Sequence, residues 1–137
     1  MKKGARAQSS MEYLMLLSFI LGITIVLILL FQTYSQDTMD TIRMKQVDQL
    51  ARKIIDSAEK VYYLGEPSKI TIKANFPSNI KSANISSREL YFVMSTAQGD
   101  NELVYVTKVN ITGTLPVGEG IREVYVESKG SYVQIST

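Results

Sequence analysis

The sequence predicts an α+β chain: one long N-terminal helix, apolar in its first half, followed by a small, mainly antiparallel β-rich domain of about five strands. Three observations carry this reading. Leu14 to Phe31 is an uncharged and overwhelmingly apolar run. No proline or glycine then interrupts the chain until Gly65. From Lys69 onward the apolar residues recur every second position, the period of a strand. Helix first and strands afterwards is the order of an α+β domain rather than of alternating β–α–β units.

The apolar run is 18 residues long, or about 27 Å of helix at 1.5 Å per residue. That nearly matches a hydrocarbon core of about 30 Å, and Met11 and Tyr13 extend it. Ser18, Gly22 and Thr24 are small or weakly polar, tolerable in lipid and suited to close contact between helices. Lys2, Lys3 and Arg6 flank the run on its N-terminal side and predict a cytoplasmic N-terminus. The part beyond Phe31 then faces outward.

Past Phe31 the pattern stays helical but turns amphipathic. Val47, Leu50, Ala51, Ile54, Ile55, Ala58, Val61 and Tyr62 recur at three- and four-residue spacing and mark one stripe. Asp48 with Arg52, and Asp56 with Lys60, are acid-first i,i+4 pairs on the solvated side. Gly65 and Pro67 form a stop signal. Gly22 and the stretch Gln32 to Thr38 are the places where weak helix propensity favours a bend.

In the C-terminal part, Ile70 and Ile72, Val124 and Val126, and Val133 and Ile135 alternate with polar neighbours. Glu89 to Ser95 and Glu102 to Val109 are rich in Tyr, Phe and Val on both faces, which suits central strands. Gly99-Asp100-Asn101 and Lys129-Gly130 read as hairpin turns, and Pro77 to Ser87 reads as an exposed loop. The expected organisation is therefore 1–7 leader, 8–31 membrane or filament-core helix, 32–66 amphipathic half-helix packing on the sheet, and 67–137 extracytoplasmic β-rich domain.

The N-terminus decides between classes of membrane segment. A secretory signal peptide is cut after its apolar run, at a small-residue site. No such site follows Phe31, whereas Ala7 and Gln8 offer one before the run. Cleavage between Ala7 and Gln8 removes the basic leader and keeps the apolar helix. Gln8-Ser9-Ser10-Met11-Glu12-Tyr13 resembles the Gln-x-Ser-x-Glu-Tyr motif of the class III signal peptides of archaeal type IV pilin-like proteins, with Gln8, Ser10, Glu12 and Tyr13 as the matching residues.

The resemblance implies a structural subunit of an archaeal type IV pilus-like surface filament, used in adhesion or surface attachment. It further implies a prepilin-type peptidase that removes the leader, a pilus assembly ATPase, a membrane platform protein, and self-assembly into a helical homopolymer or with related pilins. The subunit is membrane-inserted before assembly. Hydropathy by itself fits equally an uncleaved single-pass membrane anchor holding an extracytoplasmic binding domain.

Composition excludes much chemistry. The chain has no cysteine and no histidine, which removes thiol nucleophiles, imidazole bases and the commonest metal ligands. No nucleophile–base set is legible, so no enzyme, catalytic residue, metal or cofactor is expected. There are 15 basic and 13 acidic residues. Three of the basic ones lie in the leader, which leaves the remainder slightly acidic and gives no footprint for nucleic acid.

Two kinds of site remain. Glu12 is a carboxylate at the edge of an apolar segment, costly there if unpaired. After cleavage the new α-amino group of Gln8 lies one helical turn away, and Glu12 is expected to neutralise that amine on its own or a neighbouring chain during assembly. Asn84-Ile85-Ser86 and Asn110-Ile111-Thr112 fit the N-glycosylation acceptor pattern, Asn84 being the better candidate.

Overall fold

A computed structural model of the chain describes residues 3–137, with side chains from Ser10 onward. Helix α1 runs Lys3–Leu64, and it continues without a break through Gly22 and through residues 32–38, where the sequence favours a bend. The chain divides into two compact units between Thr38 and Met39, the end of that weak stretch.

Within the second unit the stop signal works as read. Gly65 takes a φ of +77° and its N–H reaches back to the carbonyl of Tyr62 at 3.1 Å, closing the last turn. The helix thus ends at Leu64, directly before the glycine of the stop signal. Seven strands follow: β1 (Lys69–Phe76), β2 (Ile80–Ser86), β3 (Glu89–Thr96), β4 (Gly99–Val106), β5 (Ile111–Gly113), β6 (Gly120–Ser128) and β7 (Val133–Ser136). They form two sheets, β1-β6-β7-β5 and β2-β3-β4, antiparallel except for the β5–β7 pair.

The fold class is as expected, with two strands more than the five read from the sequence. Both additional strands have a physical reason for being hidden. In β2 the register slips between Ile80 and Ser82, so its inward residues fall at Ile80, Ala83 and Ile85 and break the period of two. Hence Pro77 to Ser87 is not a loop but largely a strand. β5 is only three residues long, below the length at which alternation is legible. The β3–β4 turn is also displaced: Ala97 and Gln98 make it, and Gly99, Asp100 and Asn101 already belong to β4, with Thr96 paired to Gly99. Finally, β3 is central in its sheet as read, but β4 is an edge strand.

The stripe of α1 and the inner faces of both sheets share one core. Val47, Leu50, Ala51, Ile54, Ala58 and Val61 are buried, with Ile55 and Tyr62 partly so, against Phe76, Leu90, Phe92, Val124, Val126 and Ile135. Full burial of a large apolar side chain is worth about 1.5–3 kcal/mol, so this cluster holds the second unit together. The sheets approach each other at the β2–β3 turn, where the N–H of Ile111 donates to the carbonyl of Ser87 at 2.6 Å.

Candidate functional site

The first unit exposes what a water-soluble protein hides. From Leu14 to Phe31 every side chain lies on the surface, Leu16, Phe19 and Phe31 being 62%, 67% and 71% exposed. The helix is long and apolar enough to cross a membrane. Its few hydroxyls are satisfied within the helix: Ser18 donates to the carbonyl of Leu14 and Thr24 to that of Ile20, both at 2.8 Å. An unsatisfied hydroxyl in hydrocarbon costs several kcal/mol, and this local bond removes that cost. The same i−4 bond recurs at Thr33 and Thr38.

One face of this helix is notched. Ser18 and Gly22, one turn apart, line a shallow apolar hollow of about 420 Å³ with Phe19, Ile23, Val26 and Leu27. Gly22 has nothing within 4 Å of the position a Cβ would occupy, so the notch is open space. Small residues at this spacing let a second helix approach closely.

Ser10, Glu12 and Tyr13 are all exposed on the helix ahead of the notch. Among the described residues nothing pairs with the Glu12 carboxylate. The expected cleavage at Ala7 and Gln8, and the proposed ion pair to the Gln8 amine, lie outside the residues whose side chains are described.

The sequons sit on the second unit. Asn84 is exposed in the middle of β2, on a strand rather than on a loop, opposite Tyr91 of β3. Asn110 is exposed just before β5 and its Oδ1 accepts from Arg88 Nε at 3.1 Å. Ser86, the hydroxyl residue of the first sequon, and Asn110 line one polar hollow with Ser87, Arg88 and Glu89. The two sequons, separate in sequence, therefore open onto the same surface.

Electrostatics in the second unit are those of a solvated scaffold. Of the two expected helix pairs, Asp48–Arg52 forms at 2.9 Å, and its hydrogen bond raises the Arg52 guanidinium further. Asp56 and Lys60 do not close to ion-pair distance among the described residues. Burial is the main cause raising the Tyr105 hydroxyl. Among the described residues no group of three acidic or other metal-ligating side chains converges.

Sequence reading missed two acidic residues that tie the helix to loops. Asp40 Oδ2 accepts from the N–H of Ala97 at 2.8 Å, and Glu59 Oε1 accepts from the N–H of Lys108 at 3.2 Å. A signal was present for Asp40. It lies four and seven residues before Met44 and Val47, so it continues the stripe with a polar side chain facing the sheet. Comparison with family models, with curated proteins and with solved structures gives no match for this chain.

Proposed function

We propose that this chain is the structural subunit of an archaeal type IV pilus-like surface filament serving adhesion or attachment, and has no catalytic role. The observation that carries the reading is the Gln8–Tyr13 motif standing directly before a helix whose apolar side chains are all exposed. Such a helix needs lipid or other copies around it. The second unit closes its own core from Val47 to Ile135 without any of those side chains.

In this reading the leader peptidase cuts between Ala7 and Gln8. The assembly ATPase and platform protein then move the helix from bilayer to filament, where neighbouring copies replace lipid. The Ser18–Gly22 notch provides a seat for a close helix neighbour. The β domains face outward, and Asn84 and Asn110 carry N-linked glycan on that surface.

The test is the N-terminus of the surface-exposed protein. Intact-mass and peptide mapping of material sheared from cells is expected to give a chain beginning at Gln8, in filaments visible by electron microscopy. A surface protein that retains Lys2 and Lys3 and is extracted as single copies sinks the filament reading and establishes an uncleaved anchor.

A further inference from the structure

We infer that the outer face of the β2-β3-β4 sheet is a carbohydrate platform: the first sugars of a glycan on Asn84 lie across the strands, one ring stacked on Tyr91 and the next covering Val104. This rests on the proposed glycosylation of Asn84 and adds where that glycan lies and what it does. Register places the three residues in one row. Asn84 of β2 is opposite Tyr91 of β3, and Tyr91 is opposite Val104 of β4. All three point away from the core, because their neighbours Ala83, Leu90 and Phe92 are the buried ones. Tyr91 and Val104 stand about 5 and 10 Å from Asn84, one and two strand spacings. Two linked sugars on the Asn84 amide span that row.

The surface under the row is apolar although it faces solvent. Val104 and Val106 are 47% and 70% exposed, and the half-buried Tyr91 lies beside them. The Tyr91 hydroxyl donates to Oε2 of Glu89, two residues back on the same face, which draws the ring along the strand and holds it there. A sugar ring suits such a platform. One of its sides presents C–H groups, slightly positive, to the negative face of the aromatic ring, while its hydroxyls stay in water. The glycan thereby covers an exposed apolar patch without making the surface less soluble.

The other sheet and the other sequon lack this arrangement. On the outer face of β1-β6-β7-β5 the Tyr125 ring is already covered, with Lys69 Nζ 4.9 Å from its centroid. Among the described residues no cation and no second aromatic ring stands over Tyr91. Asn110 accepts from Arg88 Nε at 3.1 Å and shares its hollow with Ser86, Ser87, Arg88 and Glu89. A glycan there meets polar groups and no ring face.

The test is a double-mutant cycle on the full-length glycoprotein in detergent, with glycopeptide mapping of Asn84 in every sample. Asn84→Gln is expected to lower the melting temperature by about 4–8 °C, the shift of one stacking contact in a domain of this length. In a Tyr91→Thr chain, which keeps a β-branched residue in the strand, Asn84→Gln is expected to shift melting hardly at all. In a Tyr91→Phe chain, which keeps the ring, the full shift is expected to return. Asn110→Gln is expected to show no such dependence on residue 91. Proton spectra of the unmutated glycoprotein give a second reading that needs no variant: C–H resonances of the first Asn84 sugar move upfield of their Asn110 counterparts under the ring current of Tyr91. An unmodified Asn84 overturns the glycosylation reading and this inference with it. A modified Asn84 whose removal shifts melting equally in the Tyr91, Tyr91→Thr and Tyr91→Phe chains, or whose sugar resonances coincide with those at Asn110, overturns the inference alone and leaves the glycan assignment standing.

Discussion

Asp40 and Ala97 are 57 residues apart in sequence, yet the Asp40 carboxylate accepts the backbone N–H of Ala97 at 2.8 Å while also holding Arg43 at 3.1 Å. The tip of the β3–β4 hairpin is thereby fastened to the start of the amphipathic half-helix. The Asp40 side chain is only 12% exposed, so water replaces the lost bond poorly. Asp40→Ala is expected to destabilise the second unit by about 1.5–3 kcal/mol, the usual range for a hydrogen bond to a charged group. Thermal melting measures the loss, and faster amide exchange at Ala97 locates it. A variant that melts like the wild type would mean the tether is idle.

Gly113 meets a harder limit. Its φ is +137°, and a Cβ there would stand 1.8 Å from the carbonyl oxygen of Ile135, its partner in the parallel β5–β7 pair. Backbone on both sides leaves nothing flexible to yield. Gly113→Ala is expected to cost about 3 kcal/mol or more, from strain and lost pairing together. The control is Gly22→Ala, which meets open space and improves helix propensity by about 1 kcal/mol. Comparable losses in both variants would refute the distinction.

The second unit should stand alone. Its core draws on α1 from Met44 onward, and the division falls between Thr38 and Met39. A fragment starting at Met39 is expected to be soluble, with mixed helix and strand by circular dichroism. Aggregation or an unfolded spectrum would show that residues before Met39 contribute to the core.

One surface pair sets a small pH dependence. Lys129 Nζ donates to Glu127 Oε1 at 2.6 Å, which lowers the Glu127 carboxyl and raises the Lys129 ammonium. The Glu127 contribution is present above the ordinary glutamate value and is lost as pH falls through the lowered one. The Lys129 contribution is present below the ordinary lysine value and is lost as pH rises through the raised one. Both side chains are more than a third exposed, so solvent screens the pair. Glu127→Gln is expected to change the neutral melting temperature little, and the small difference should vanish in acid. A difference that grows in acid would reverse the sign of this linkage.

What the sequence disclosed, and what it hid, follows from the range of each interaction. The apolar run, the stripe from Val47 to Val61 and the stop at Gly65 are local patterns, and all were readable. The bulge at Ile80–Ser82 erased the period that would have revealed β2. Tyr, Phe and Val on both faces marked β3 correctly as central, but the same richness at Val104 and Val106 belongs to an edge with exposed apolar groups. Composition registers hydrophobicity, not what covers it. The candidate site was legible as a motif and a helix, while the meeting of the two sequons around Arg88 depends on tertiary contacts that no local pattern encodes.

Glu12 is where the proposed assembly is most exposed to test. It stands two residues before an 18-residue uncharged run that begins at Leu14, and it lies in the unit that shares no residue with the β-domain core. Glu12→Ala makes the segment more apolar, so membrane insertion should not suffer, and the core from Val47 to Ile135 is untouched. What disappears is the carboxylate proposed to neutralise the Gln8 amine of a neighbouring chain. Breaking a buried ion pair by removing one partner costs about 3–5 kcal/mol, because the remaining charge is left uncompensated. Filament yield should therefore fall sharply while the membrane level of the subunit and the melting of its β domain hold steady. Glu12→Asp, which keeps the charge on a shorter arm, is expected to restore part of the yield. Electron microscopy of sheared filaments against immunoblots of membrane fractions makes the comparison. Normal filaments from Glu12→Ala would show that helix packing at the Ser18–Gly22 face suffices for assembly and that the carboxylate is an interfacial bystander.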